Sequence, residues 1–533
     1  MAAPLPQANI PAQEKSPWAC QAVAALPRLL GNFCTDPSNP SLGQGDRRFW
    51  KWKLVDFGNG SFQGAAHGLA VLLKAGFLPE WLPENQILAW IRHMVQGART
   101  LTRANGSLEE AFPHESSFCV TGLAAYDLLS ALRWTGERMA GEARDELLST
   151  VAPMLRFVVR NDETHGFITN HLAATTAACF LWNELGDPSD TLVLGRGQDL
   201  LERILGAQSQ EGWFPEYGGA DAGYMSLALG YLADLHTVRP DLGLAEPLTR
   251  AVEFLSHFAH PDGTFGGVYG CRNTRIFYPA GAAILAGGET THGLAAGLDK
   301  AMGRSADAGN CVTLAAMDDL NLVPLFNQYA RAALARTEPE RAEPDSLPCE
   351  EAEPFVRHFP EAGLVAANQP DYYAVVSTHK GGAGCTVGKQ GDHRLDSGPL
   401  YRDTKGRFWS GQSYNTNNTV NLEGSSLTIA APLRRIDHQL PTPGRFLVLR
   451  FLNVTLMRSR WISEWIKRLL VKFLITGSKG AVATNTRTIT LGSEFAVQDS
   501  LDKELDLKPV APNTAVYATH MATSGFFQPG DKA

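Results

Sequence analysis

No run of about eighteen uncharged apolar residues occurs in the 533-residue chain, so nothing in it reads as a membrane-spanning helix. Cysteine is sparse and scattered. The eight thiols (Cys20, Cys34, Cys119, Cys179, Cys271, Cys311, Cys349 and Cys385) include no CxxC pair, which argues against a disulfide scaffold or zinc ribbon and leaves most of them as buried thiols. Basic charge is not in excess: 47 Lys and Arg stand against 55 Asp and Glu, a formal net charge of -8, so no nucleic-acid partner is expected. The opening stretch MAAPLPQANIPAQEKSPW lacks the basic start and apolar core of a signal peptide, which makes cytoplasmic residence the expectation. Neither GxxxxGK[ST], a convincing GxGxxG turn nor HExxH is present, so nucleotide and zinc-protease chemistry have no motif to rest on.

What is present is an ordinary globular composition, 44% hydrophobic and 19% charged, in a chain long enough for two or more domains. Residues 1–16 read as a flexible N-terminal segment. From 17 to 335 apolar residues recur at helical spacing, as in FQGAAHGLAVLLKAG (62–76), SSFCVTGLAAYDLLSALRWTG (116–136) and GYMSLALGYLADLHTV (223–238). Between them the turns FGNGSFQG, RANGSLEE, SQEGWFPE and HPDGTFGG recur, with THGFITNH partly filling the gap. Repeated helical hairpins joined by Gly turns follow from this, arranged as an incomplete or closed (α/α) toroid, with an open solenoid as the structural alternative.

The Pro-rich and charged stretch RTEPERAEPDSLPCE begins a linker assigned to 336–365. Beyond it, over 366–533, β-branched and aromatic residues alternate between Gly and Asn turns, as in DYYAVVSTHKGGAGCTV and ATNTRTITLGSEFAVQD; an antiparallel β-sandwich is expected. One amphipathic helix near 460–476, RWISEWIKRLLVKFLIT, interrupts it. That helix either covers the β domain or makes a peripheral membrane or protein contact.

Polar groups at the helix starts supply the candidate chemistry. In ITNHLAATTAACFLW, Thr169 or Asn170 is either a helix cap or, with His171, a catalytic group. In DAGYMSLALGYL, Asp221 and Gly223 open a helix whose Tyr224 could exchange a proton; Tyr217 and Tyr231 compete with it. VYGCRNTRIFYPAG offers Arg272 and Arg275 for a carboxylate and Tyr278 or Tyr269 for a sugar ring. His67, His114 and Trp213 stand at comparable turns. A cleft of this kind suits an acidic glycan: Asn and Arg neutralise a uronate carboxylate, the neighbouring proton becomes acidic, and His or Tyr removes it while Tyr assists departure of the glycosidic oxygen. That chemistry requires no cofactor, and a structural divalent metal ion stays admissible. Oligomeric state is open.

With Asn170-His171, Tyr224 and the change from helical to β pattern, the chain resembles the heparinase II/III-like polysaccharide lyases and the wider group of lyases built as a helical toroid plus β-sandwich. The resemblance implies that Asn170 neutralises the uronate, that Tyr224 and His171 act as acid and base, and that His379, in VVSTHKGG, reaches the cleft from the β domain. Arg272 rests on local chemistry alone. Other readings stay open: a glycoside hydrolase using a pair among Glu211, Glu216, Asp221 and Asp262, a non-catalytic glycan-binding or exopolysaccharide-assembly protein, and an isoprenoid cyclase. For the last, QSQEGWF has Phe214 where its repeat calls for Trp, and AMDD has Ala316 where its acid motif calls for Asp. The catalytic reading requires that the starts of the Asn170 and Tyr224 helices lie at one end of the ring.

Overall fold

A computed structural model describes residues 16–53, 55–288, 292–436, 442–470 and 480–510. The helical part comprises α1 (Pro17–Leu30), α2 (Arg47–Trp50), α3 (Ala65–Ala75), α4 (Glu84–Leu101), α5 (Phe118–Thr135), α6 (Glu142–Arg160) and α7 (Thr169–Leu185). It continues through α8 (Thr191–Gly206), α9 (Ala222–Val238), α10 (Ala245–Ser256), α11 (Ala280–Leu285), α12 (Gly293–Ala308) and α13 (Leu322–Ala335). Packing runs α3, α5, α7, α9, α11, α13, and α13 returns to α3. The helices of this circuit are Ala-, Gly- and Leu-rich and buried on nearly all sides; α9 is buried from Ala222 to His236. Their partners α4, α6, α8 and α10 bury one stripe each and lie outside.

The recurrent turns have one construction. Asn59, Asn105 and Asp262 each accept, through the side chain, the backbone N–H two residues on. In three of the loops the chain closes over five residues, with Arg103, Ser209 and His260 donating to the carbonyls of Ser107, Trp213 and Thr264. Glycine is required at the tip. Gly106 has φ +90°, and a Cβ there would come within 2.0 Å of the Pro153 carbonyl oxygen in α6. Gly106→Ala is therefore expected to destabilise the protein by roughly 1–3 kcal/mol, read from chemical denaturation. These turns lead into the circuit helices, so their loops gather at one end.

The β part consists of two antiparallel sheets. The first runs β1 (Phe355–Phe359), β2 (Leu364–Asn368), β3 (Tyr372–Ser377), β4 (Ala383–Gly388), β5 (His393–Asp396) in sequence order. The second contains β6 (Leu400–Asp403), β7 (Phe408–Ser410), β8 (Thr419–Glu423), β9 (Ser426–Ile436), β10 (Ala483–Leu491), β11 (Phe495–Leu501) and β12 (Leu507–Pro509), in the order β11-β10-β9-β7-β6-β12, with β8 also on β9. Alternation decides the layering. Val365, Ala367, Tyr372, Ala374 and Val376 meet Leu427, Ile429, Ala431, Ile489 and Leu491 of the other sheet. The opposite face of the first sheet, including Tyr373 and Val375, joins the helical core. A strand covered on both faces reads as the unbroken apolar run YYAVVS.

Strand β1 lies inside the stretch assigned as linker. There Arg341 pairs with Asp299 of α12 at 2.9 Å, and Leu347 and Cys349 are buried, so 336–365 is built into the structure rather than strung between domains. Between β9 and β10 stand α14 (Pro443–Val454) and α15 (Arg460–Leu470). The expected helix at 460–476 is helical to 470, and residues 471–476, like 1–15 of the N-terminal segment, lie outside the described residues. No helix among the described residues is long and apolar enough to cross a membrane.

Candidate active site

Asn170 is not a cap. Helix α7 begins at Thr169, Ile168 holds the N-cap position, and no side chain of the segment closes it. The missing acceptor comes from 46 residues away: the Glu216 carboxylate takes the Asn170 backbone N–H at 3.0 Å and its side-chain Nδ2 at 2.8 Å. Thr169 is tied to the Pro215 carbonyl, and Tyr217 N–H donates to Phe167 O. The 215–217 segment thus lies along the α7 start, which fixes Asn170 against Glu216. Glu216 is fully buried, and desolvation pushes its carboxyl well above the usual range in spite of the two bonds from Asn170.

The α9 start is closed by its own acid. Asp221 accepts from Tyr224 N–H through one oxygen, and through the other from the N–H groups of Arg272 and Thr274. One carboxylate therefore sets both the first turn carrying Tyr224, nearly buried, and the loop carrying Arg272. That loop is held from the β domain as well. Lys380, buried, donates to the carbonyls of Val268 and Gly270 and to Asn273 Oδ1, and burial lowers its ammonium to about 8. So placed, the Arg272 guanidinium lies 4.0 Å from the Tyr217 ring centroid. Its buried Nε has no hydrogen-bond partner among the described residues.

His171 approaches Tyr217 edge-on, with ring centroids 6.5 Å apart. Its Nδ1 bonds to Glu163 Oε2 at 2.8 Å, and His165 Nδ1 bonds to the other oxygen at 2.5 Å. Since a carboxylate only accepts, Nδ1 of a neutral His171 carries the proton and Nε2 keeps its lone pair. Burial alone would raise Glu163, but the two imidazole hydrogen bonds outweigh it and hold the carboxyl far below its usual range. Its stabilising effect is complete above the unfolded carboxylate value of 4.5 and is lost as pH falls through the folded one. Glu163→Gln should flatten the acid side of the stability profile, checked by urea unfolding at neutral and acidic pH.

From the β domain, His379 lies on the turn after β3 with Nδ1 3.2 Å from the Tyr414 hydroxyl. That hydroxyl abuts Gly219, where a Cβ would lie 2.6 Å from it. Asn170, His171, Tyr217 and Arg272 thus converge at one end of the ring, with Tyr224 in the adjoining helix turn and the His379–Tyr414 pair against the same loop.

Other expected residues sit elsewhere. His67 is inside the ring, 2.9 Å from Asp127. Tyr278 packs in the helical core, where burial raises its phenol. Trp213 donates to Glu211, which also holds the β1–β2 turn through the N–H groups of Glu361 and Ala362. His114, at φ +68°, takes its place through a backbone bond to Glu109, and Arg275 is half-buried in the loop before α11. Glu163, Lys380 and Tyr414 went unforeseen; only the short spacing of Glu163, His165 and His171 gave any sequence hint. Among the described residues no group of three or more His, Cys, Asp or Glu is placed to hold a metal ion.

No family model matches the sequence, and no curated protein matches it. Similarity is found among solved structures. The Streptomyces coelicolor A3 chondroitin AC lyase in complex with chondroitin sulphate superposes with a TM-score of 0.52 at 11% identity, over 91% of this chain and 66% of that one. A mutant of the same lyase gives 0.42 at 12% identity over 80% and 68% of the two chains, and heparinase III gives 0.41 at 12% over 92% and 77%. This chain therefore spans 66% of the length of the first lyase, and what the two share at this identity is the fold.

Proposed function

We propose that the protein is a lyase that cleaves a uronate-containing polysaccharide or oligosaccharide by β-elimination at the loop end of a closed (α/α) toroid. The observation that carries the reading is the convergence of Asn170, His171, Tyr217 and Arg272, with Asn170 held by Glu216, His171 by Glu163 and the Arg272 loop by Asp221. The Arg272 guanidinium and the Asn170 amide bind the uronate carboxylate and disperse the charge that develops as the α-proton leaves. His171, oriented by Glu163, accepts that proton at Nε2. The C–H electron pair forms the ring double bond, the glycosidic C–O bond breaks, and a phenol proton passes to the departing oxygen. Tyr224 is assigned as that donor and His379, braced by Tyr414, as a group that closes the cleft from the β side.

Hydrolysis has less support, because the carboxylates it would use are engaged in holding loops. Asp221 accepts three backbone N–H groups, Glu211 holds the β1–β2 turn, and Asp262 pairs with His393 at 2.7 Å. Incubation with a panel of uronate-containing glycans tests the proposal. Unsaturated products with the native protein, and none with His171→Ala or Tyr224→Phe, are expected; substrate binding without turnover in all three would instead make it a glycan-binding protein.

A further inference from the structure

The helices between β9 and β10 present a surface that the β-elimination chemistry does not use. Of α14 only Asn453 is buried. Phe446, Leu447, Phe451 and Val454 face solvent, Leu447 at 72%, and α15 adds Trp465 and Trp461, the latter at 77%. Exposed aromatic and aliphatic side chains in such density mark a contact surface. Charge identifies the contact. Residues 442–470 contain Arg445, Arg450, Arg458, Arg460, Lys467 and Arg468 against the single acid Glu464, in a chain whose formal net charge is -8.

We propose that this insertion docks the protein on a lipid bilayer rich in anionic headgroups, lying in the plane of the surface. Apolar side chains enter the headgroup boundary while arginines such as the exposed Arg445 and Arg458 meet lipid phosphates, the arrangement of an interfacial amphipathic helix. Tryptophan favours that boundary. At 12 residues, α14 falls well short of the about 20 needed to span a bilayer. A protein partner would demand no such excess of positive charge, and a soluble polyanion would leave the apolar residues in water. The insertion is also anchored to the helical ring. Arg450 pairs with Asp56 at 3.3 Å, and Ser463 lines a cavity of about 230 Å³ with Glu115, Thr164 and His165. Since His165 shares Glu163 with His171, docking would bring the loop end of the ring close to the membrane surface.

Flotation of the full chain with vesicles tests this. Vesicles of phosphatidylcholine with phosphatidylglycerol should bind at least about tenfold more tightly than phosphatidylcholine alone, and added salt should weaken binding. Phe446→Glu with Phe451→Glu should abolish flotation, as should Trp461→Ser with Trp465→Ser, with melting temperatures unchanged because these side chains are exposed. Equal binding to both vesicle types, no binding to either, or flotation unaffected by both variant pairs would overturn the proposal. So would a self-association, seen by sedimentation without vesicles, that the same variants dissolve.

Discussion

Asn170→Ala should lower kcat/KM on an acidic glycan by roughly 100- to 1000-fold, the usual consequence of removing one preorganised donor aimed at developing negative charge. The loss should fall mainly on kcat, because the charge grows as the proton leaves. Folding should weaken by only about 1–3 kcal/mol, since Glu216 would lose one of its two bonds from Asn170 and keep the backbone one. Glu216→Gln separates the two effects. Gln keeps the shape of the side chain and one acceptor oxygen for the two Asn170 donors, so this variant should keep Asn170 largely in place and retain more activity than Asn170→Ala. Steady-state kinetics and denaturation on both variants check the pair. Equal loss of activity in both would mean that Glu216 does more than position Asn170.

Asp234→Ala should be the most destabilising single change, at about 3–5 kcal/mol. Inside the ring Asp234 accepts from Arg331 at 2.7 Å and from Tyr126 at 2.9 Å, with Arg133 at 3.5 Å. Burial alone would raise its carboxyl, but Arg331 and Arg133 hold it well below the usual range. Without it, the Arg331 guanidinium, buried on α13, faces no opposite charge in this pair and the Tyr126 hydroxyl loses its acceptor. The double change Asp234→Leu with Arg331→Met should recover much of the loss, because it removes both charges together. The ion pair's contribution is complete above the unfolded carboxylate value of 3.8 and declines as pH falls through the folded one. Urea unfolding of the native protein, Asp234→Ala and the double variant measures the loss and its recovery.

Helices and turns were legible because their signals are local. A stripe of Ala and Leu repeats within one helix, and Asn-Gly-Ser bends the chain through its own side chain. The β layer was legible from YYAVVS for the same reason. Partners contributed from far along the chain were not. Asn170 looked like a cap because Asn so often is one, whereas its helix start is closed by Glu216; nothing near residue 170 encodes that. Tyr414 meets His379 only because β3 and the loop after β7 are brought together by sheet packing, and Lys380 finds its acceptors on Val268, Gly270 and Asn273, 107 to 112 residues away. His67 was grouped with the cleft by its place at a turn, although a histidine in the first turn of an inner helix can equally face the ring interior, where Asp127 holds it. The exposure of the α14 apolar residues is not legible in FLVLRFL, because such a run fits a buried helix equally well.

The identity of the bond-breaking step is the most direct test of the proposed site. Digestion of a uronate-containing glycan in ¹⁸O-labelled water, with mass spectrometry of the new chain ends, distinguishes the two routes. Elimination predicts one end that is unsaturated, lighter by the elements of water, and a new reducing end free of ¹⁸O once exchange is corrected, with both products formed roughly 100- to 1000-fold more slowly by Asn170→Ala. Saturated products carrying ¹⁸O would contradict it.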